Sequence, residues 1–244
     1  MKTSYLITLL TAFLIIGNVS HIDAQEEDPY KDILFMIIDG DYEKAVSKAE
    51  KITDKDKTHR EPVPYIYASM AYFEMSKKEE FQEDYPRAFR DAIKNAYKAK
   101  RYDKENAYMP QFTNYIGELK AEIMREATFQ YQSENWRKSI TYSKYVTRID
   151  PEDISALLLK GVAEVKGRNT YQAKTTFEEA KEALKNFTAS DVSLDSKDAY
   201  LYAVMEYAKL MAEAGTKANA QPYIDAVASI YEDDAEFQNF TDGY

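Results

Sequence analysis

The chain has 244 residues, a formal net charge of −10 and no cysteine. Without cysteine it can form no structural disulfide, thiolate metal site, thiol nucleophile or lipid-modified N-terminal cysteine. An acidic chain repels phosphate backbones and anionic lipid, which argues against nucleic acid as a ligand. Seven glycines and seven prolines leave little turn chemistry for an all-β fold, so the composition predicts a helical chain.

The first 24 residues are predicted to be a secretory signal peptide. Lys2 gives a short positive start, and residues 6–16 form an apolar run that is too short to span a bilayer. We expect cleavage after Ala24, which leaves residues 25–244 as one mature domain in the periplasm or secreted. The alternative is a first core helix, but the acidic stretch at 23–28 favours the signal peptide.

A short pattern of a turn, an aromatic residue and a small residue recurs along the chain. It is clearest where Trp136 follows a Glu-Asn turn, Ser139 comes three positions later and Pro151 ends the segment. The small residues that mark the copies are Ala45, Ala92, Ser139, Ala173 and Ala220. Their spacings are 47, 47, 34 and 47 residues.

This pattern resembles the tetratricopeptide repeat family, whose period is 34 residues. The resemblance implies an all-α fold over residues 25–244. It would be a TPR-like α-solenoid of about five antiparallel helix pairs, wound into a right-handed superhelix. Three of the four intervals are longer than the family period, so the array is irregular. An unrelated helical bundle is the alternative.

The register of the repeat predicts the first helix of each pair, at 30–38, 65–75, 111–132, 154–166 and 201–214. Gly161 is expected to let a paired helix approach closely, because a small residue stands there in the family. The long polar segments 77–84 and 186–198 are predicted to be mobile loops or partner-specific insertions.

The sequence carries no recognisable catalytic, metal or cofactor site. His59 is the one histidine left after signal cleavage, so the chain has no histidine pair for zinc and no serine triad. Phosphate-binding glycine loops are also missing from the sequence. We therefore expect a protein that is not an enzyme and has no cofactor.

Paired carboxylates are the one catalytic option that remains, since glycosidases need only two of them. Three glutamates share a helical face: Glu118, Glu122 and Glu126. We interpret them as a solvated stripe, with Lys120 and Arg125 as charge partners.

The family resemblance implies a concave groove, lined by the first helices, that binds a protein or peptide. The positions it places there are Tyr67, Met70, Phe73, Thr128, Tyr131, Met205 and Lys209. Tyrosines at helical spacing also commonly pack between helices, and that interpretation stays open for these residues.

The expected function is a non-enzymatic adaptor or scaffold in a cell-envelope, secretion or adhesion assembly. One alternative is a helical protein that binds or cleaves cell-wall glycan through carboxylates and exposed tyrosines. A second alternative is a structural subunit that associates with copies of itself.

Overall fold

Helices account for the regular structure of residues 28–244, which the computed structural model describes. Residues 32–244 form one compact unit. The predicted signal peptide lies outside the described residues. The helices are α1 (Lys31–Ile38), α2 (Tyr42–Thr53), α3 (Pro62–Ser76), α4 (Ala88–Tyr102), α5 (Thr113–Gln132), α6 (Trp136–Ile149), α7 (Ile154–Lys166), α8 (Thr170–Leu184), α9 (Lys197–Glu213), α10 (Gln221–Val227) and α11 (Ala235–Gly243).

The predicted first helices are found as α1, α3, α5, α7 and α9, and the predicted bounds of α7 are those observed. Helix α5 begins two residues later than predicted, because Met109–Phe112 form a 3-10 turn that includes Pro110. Helix α9 begins four residues earlier, at Lys197. Asp198 then lies in its first turn, where a negative charge suits the helix N-terminus. The all-helical prediction is confirmed for the described residues, within which no strand occurs.

Helices pack mainly against their neighbours along the chain. Helix α3 lies against α4, α5 against α6, and α7 against α8, while α2 packs on α3 and α6 on α7. Helices next but one also touch, since α4 contacts α6, α5 contacts α7 and α7 contacts α9. Helix α9 reaches further back and contacts α5 as well, so α5 and α9 lie side by side.

Small residues lie where the paired helices meet. The five that mark the sequence pattern are each at most 1% exposed. Gly161 on α7 faces the ring of Phe177 on α8 so closely that a β-carbon there would overlap the ring. Ser69 fastens α3 to α4, since its hydroxyl lies 2.7 Å from the carbonyl oxygen of Ala92 and donates a hydrogen bond to it. Helix α3 therefore binds backbone of α4 directly.

A buried ion pair joins α5 to the turn between α6 and α7. The Lys120 ammonium lies 2.6 Å from Asp150 Oδ2 and 2.9 Å from Asp153 Oδ2. Asp153 also caps α7 by accepting a hydrogen bond of 3.0 Å from the backbone N–H of Ala156. Lys120 thus pairs with these aspartates and not with the glutamates of its own helix.

Burial and charge act in opposite directions on the pKa values of this pair. Burial alone would raise the pKa of Asp153, but the adjacent Lys120 ammonium holds it below its ordinary value. Burial would likewise lower the pKa of Lys120, and the two aspartates raise it instead. Both groups are therefore charged across the neutral range and stabilise the fold through that charge.

The two long polar segments contain short turns. In the first, the ring of Phe81 packs edge-on against Tyr42 at 5.9 Å and lies 6.3 Å from Tyr85. In the second, the turn Leu194–Ser196 packs against α5. Both segments therefore have tertiary contacts, and their mobility stays a prediction.

Replacing Lys120 with methionine is expected to lower the free energy of unfolding by about 3 kcal/mol, because two carboxylates lose their partner and Asp153 is 3% exposed. Urea unfolding measures the loss. The stability contributed by Asp153 is complete above the ordinary pKa of 3.8 and is lost as the pH falls through the lower pKa of the folded protein. The difference in free energy of unfolding between the wild type and Lys120→Met should therefore become smaller in acid.

Lys185→Met is the matched control, since Lys185 pairs with Glu182 at the surface, where both side chains are more than 60% exposed. It should cost less than about 0.5 kcal/mol. Equal losses in the two variants would contradict a structural role for the Lys120 pair.

Gly161→Ala is expected to destabilise the protein by about 1 to 2 kcal/mol, because the added β-carbon overlaps the Phe177 ring. In an ordinary helix this substitution stabilises by up to about 1 kcal/mol. Gly117→Ala on α5 should show that gain, since its β-carbon would lie 3.7 Å from Ser193 Oγ. Thermal unfolding compares the two. Adding Phe177→Leu to Gly161→Ala should restore part of the loss, and a stabilised Gly161→Ala would disprove the close approach.

Candidate functional site

A cleft of about 570 Å³ opens between α5 and α9. Arg125, Thr128 and Gln132 recur at helical spacing along one face of α5, with Phe129 beside them. Tyr202 lines the opposite side, on α9. The remaining lining residues are Ala121, Asp195, Asp198, Ala199, Leu201 and Glu236. Because α5 and α9 are far apart in sequence, only the folded chain brings these side chains together.

Two aromatic side chains, Phe129 and Tyr202, line the cleft. Phe129 is 59% exposed, although large apolar side chains are usually covered. The buried Tyr131 ring lies edge-on to Tyr202 at 6.0 Å and to Trp136 at 4.9 Å. These edge-on contacts stabilise ring pairs and hold Tyr202 in place beside the cleft.

A carboxylate below the cleft links both helices. Tyr131 donates a hydrogen bond of 3.1 Å to Glu206 Oε2, and Lys209 donates one of 2.8 Å to Glu206 Oε1. Burial raises the pKa of Tyr202 to about 12, and the Glu206 charge adds to the effect. The same two causes raise the pKa of Tyr131. Both phenols therefore keep their protons at neutral pH and do not act as bases.

The charge around the cleft is mainly negative. Asp195, Asp198 and Glu236 line it, and Arg125 is the basic residue among the lining side chains. Arg125 forms an ion pair with Glu122 on its own helix, which offsets its charge. The cleft thus combines an exposed aromatic ring with excess negative charge, a combination that suits a cationic and apolar ligand.

The predicted partner-binding residues of α5 and α9 lie in or beside this cleft. Thr128 lines it, while Tyr131 is buried beneath it and 5% exposed. Met205 and Lys209 lie one and two helical turns beyond Tyr202 on α9, half-buried and exposed respectively. Of these four positions Thr128 lines the cleft, and partner contact by the other three stays a prediction.

The predicted residues of α3 lie elsewhere and are mostly covered. Tyr67 is 3% exposed, and its ring packs edge-on against Phe112 at 5.7 Å. Phe73 is 2% exposed and lies beside Tyr115, whose ring centre is 5.9 Å away. Met70 is half-buried. Tyr67 and Phe73 pack between helices in this structure, and partner contact by α3 stays a prediction.

Several cleft residues were missed by sequence reasoning. Phe129 is adjacent to the predicted Thr128, and Tyr202 lies one helical turn before the predicted Met205, so a search for aromatics near those positions would have found both. Asp198 on α9 and Glu236 on α11 gave no such signal, because only the folded chain brings their helices to the cleft.

The carboxylates considered for glycan chemistry are engaged in ion pairs or hydrogen bonds. Glu118 pairs with Lys77 at 2.7 Å, and Glu122 pairs with Arg125. Glu126 accepts a hydrogen bond of 2.8 Å from the Gln130 side chain. The three glutamates of α5 therefore offer no unpaired couple of carboxylates. No specific observation favours glycan cleavage. Within residues 28–244, no group of three or more metal-binding side chains is placed to hold an ion.

Comparison of the sequence with protein-family models and with curated proteins finds no match. No helix of the described residues combines the length and the apolar character that crossing a membrane requires.

Tyr131→Phe is expected to lower the free energy of unfolding by about 1 kcal/mol, because Glu206 loses a hydrogen bond in a partly buried place. Tyr171→Phe is the control, since Tyr171 on α8 is 85% exposed and the loss of its hydroxyl should leave the free energy of unfolding unchanged. Urea unfolding of both variants makes the comparison. Equal stability of the two would mean that the Tyr131 hydroxyl does not support the cleft.

Proposed function

We propose that the protein is a non-enzymatic, TPR-type adaptor that binds a protein or peptide partner in the cleft between α5 and α9. The cleft carries this proposal, because it joins an exposed phenylalanine to a surface with excess negative charge. Buried or partly buried aromatic anchors supply most of the binding energy at protein interfaces, and charged rims select the partner. A segment with an apolar side chain and flanking lysine or arginine fits these features.

The helix contacts support a solenoid of stacked pairs. In such an array each pair touches only its neighbours, and equivalent helices of adjacent pairs lie next to each other. The contacts of α4 with α6, of α5 with α7 and of α7 with α9 follow that scheme. A regular array does not require the additional contact of α9 with α5. In this proposal that contact narrows the concave groove, so that the groove becomes the cleft between α5 and α9.

The proposed setting is a cell-envelope, secretion or adhesion assembly outside the cytoplasm. The support for it is the predicted signal peptide of residues 1–24, together with an architecture that serves mainly for binding.

Site-specific photo-cross-linking tests the proposal in cells of the source organism. A photoreactive phenylalanine analogue at Phe129 or Thr128 is expected to give a discrete adduct with another protein. The same analogue at Tyr171, which is 85% exposed on α8, serves as the control and should give none. Mass spectrometry of the adduct identifies the partner.

Charge reversal provides a second measurement on the same partner. Asp198→Lys should weaken binding to the purified partner by about tenfold, because it replaces an attraction with a repulsion at the cleft. Equal adducts at 129 and 171, or none from a folded and monodisperse protein, would contradict the proposed site. An adduct between two copies of the chain would favour self-association instead.

A further inference from the structure

Basic residues are concentrated on two adjacent helices of this acidic protein. Helices α4 and α6 together carry nine lysines and arginines and a single acidic residue, Asp91. The whole chain, by contrast, has a net charge of −10. Seven of the nine are exposed: Arg90, Lys94, Arg101, Arg137, Lys138, Lys144 and Arg148. Six of them recur at helical spacing on one side of their helix, and we call these six the basic face: Arg90, Lys94 and Arg101 on α4, and Arg137, Lys144 and Arg148 on α6.

The cations of the basic face form no close ion pair in the described part of the chain. Ion pairs occur at other lysines and arginines, such as Lys77 and Lys120, but none of those observed involves a residue of α4 or α6. Their positive charge is therefore directed to solvent. At physiological ionic strength charges are screened beyond about 8 Å, so the acidic remainder of the molecule does not cancel this field locally.

The two helices form one continuous surface. They pack against each other, and the Arg148 guanidinium of α6 lies 5.6 Å from the ring centre of Tyr97 on α4. Neighbouring helices lie about 8 to 10 Å apart, and a helix of fifteen residues is about 22 Å long. The exposed cations therefore lie in two rows on a broad face. One extended polyanion would need only a single row of cations to bind it.

A cleft in the basic face adds a place for a single anionic group. It has a volume of about 670 Å³ and is lined on α6 by Trp136 and Tyr145 together with Arg137, Lys144 and Arg148. The three cations recur at positions i, i+7 and i+11, which places them on one side of the helix. Tryptophan and tyrosine are the side chains that favour the boundary between water and lipid.

We infer that the basic face docks on an anionic phospholipid surface, and that the α6 cleft receives one negatively charged headgroup. The two rows of cations match a planar array of negative charge, and each lysine or arginine near such a surface contributes to the attraction. The net negative charge of the chain predicts repulsion from anionic lipid. The basic face would instead attract anionic lipid, because its exposed side chains are positively charged.

This surface is distinct from the cleft between α5 and α9, which is lined by other residues and has the opposite charge. The inference therefore does not depend on the proposed partner binding. A failure of either one leaves the other to its own experiment.

Vesicle co-sedimentation tests the inference with the purified chain. Vesicles of phosphatidylcholine with about one third phosphatidylglycerol are expected to bind the protein, while pure phosphatidylcholine vesicles should not. Binding should weaken as the salt concentration rises from about 0.05 to 0.5 M, because screening shortens the reach of the charges. The triple variant Arg137→Gln, Lys144→Gln, Arg148→Gln should lose about tenfold or more in vesicle binding.

The matched control changes three exposed lysines outside the basic face: Lys51, Lys174 and Lys181, each to glutamine. It alters the net charge by the same amount and should bind vesicles as the wild type does. Circular dichroism confirms that both triple variants are folded. Equal losses in the two variants, or no binding to anionic vesicles by the folded wild type, would overturn the inference. Binding to poly-glutamate or duplex DNA without binding to vesicles would overturn it too, in favour of a soluble polyanion.

Discussion

The close approach of paired helices is the constraint on which the rest of this structure depends. The chain has no cysteine and therefore no disulfide, so non-covalent contacts hold the helices together. Small residues make that packing possible, since Gly161 leaves room for the Phe177 ring and Ser69 binds a backbone carbonyl of α4. Packing density of this kind is sensitive to single methyl groups. This packing fixes the orientation of each helix. The faces that do not pack against a paired helix then line the clefts and the outer surface.

The Lys120 ion pair holds α5 against the turn between α6 and α7 through polar contacts. A buried ion pair contributes little net stability compared with apolar side chains of the same size, because its charges must leave water. Its geometry is specific, however, and Lys120 meets both Asp150 and the residue that caps α7. The position of α5 relative to α6 and α7 is thereby set. Since α5 forms one wall of the cleft with α9, this polar contact contributes to the shape of the candidate site.

Local features could be predicted from the sequence, because they depend on residues near one another along the chain. The bounds of α7 followed from the register of the repeat that the sequence resembles, and the buried small residues followed from the recurring pattern. The approach of α9 to α5 could not be predicted. It joins helices that are far apart along the chain, and no local pattern near either helix indicates it. The family register likewise suggested a groove position for Tyr67, but not that Phe112 would cover its ring.

The basic face and the acidic remainder of the chain give this protein an uneven distribution of charge. Within the short range that salt leaves unscreened, the field of a charged body orients such a molecule, and molecules that are already oriented associate faster than those that must search. Near a negatively charged boundary, α4 and α6 would lead. Near a cationic macromolecule the acidic cleft between α5 and α9 would lead. If both proposals hold, one molecule contacts two oppositely charged bodies through different sets of residues.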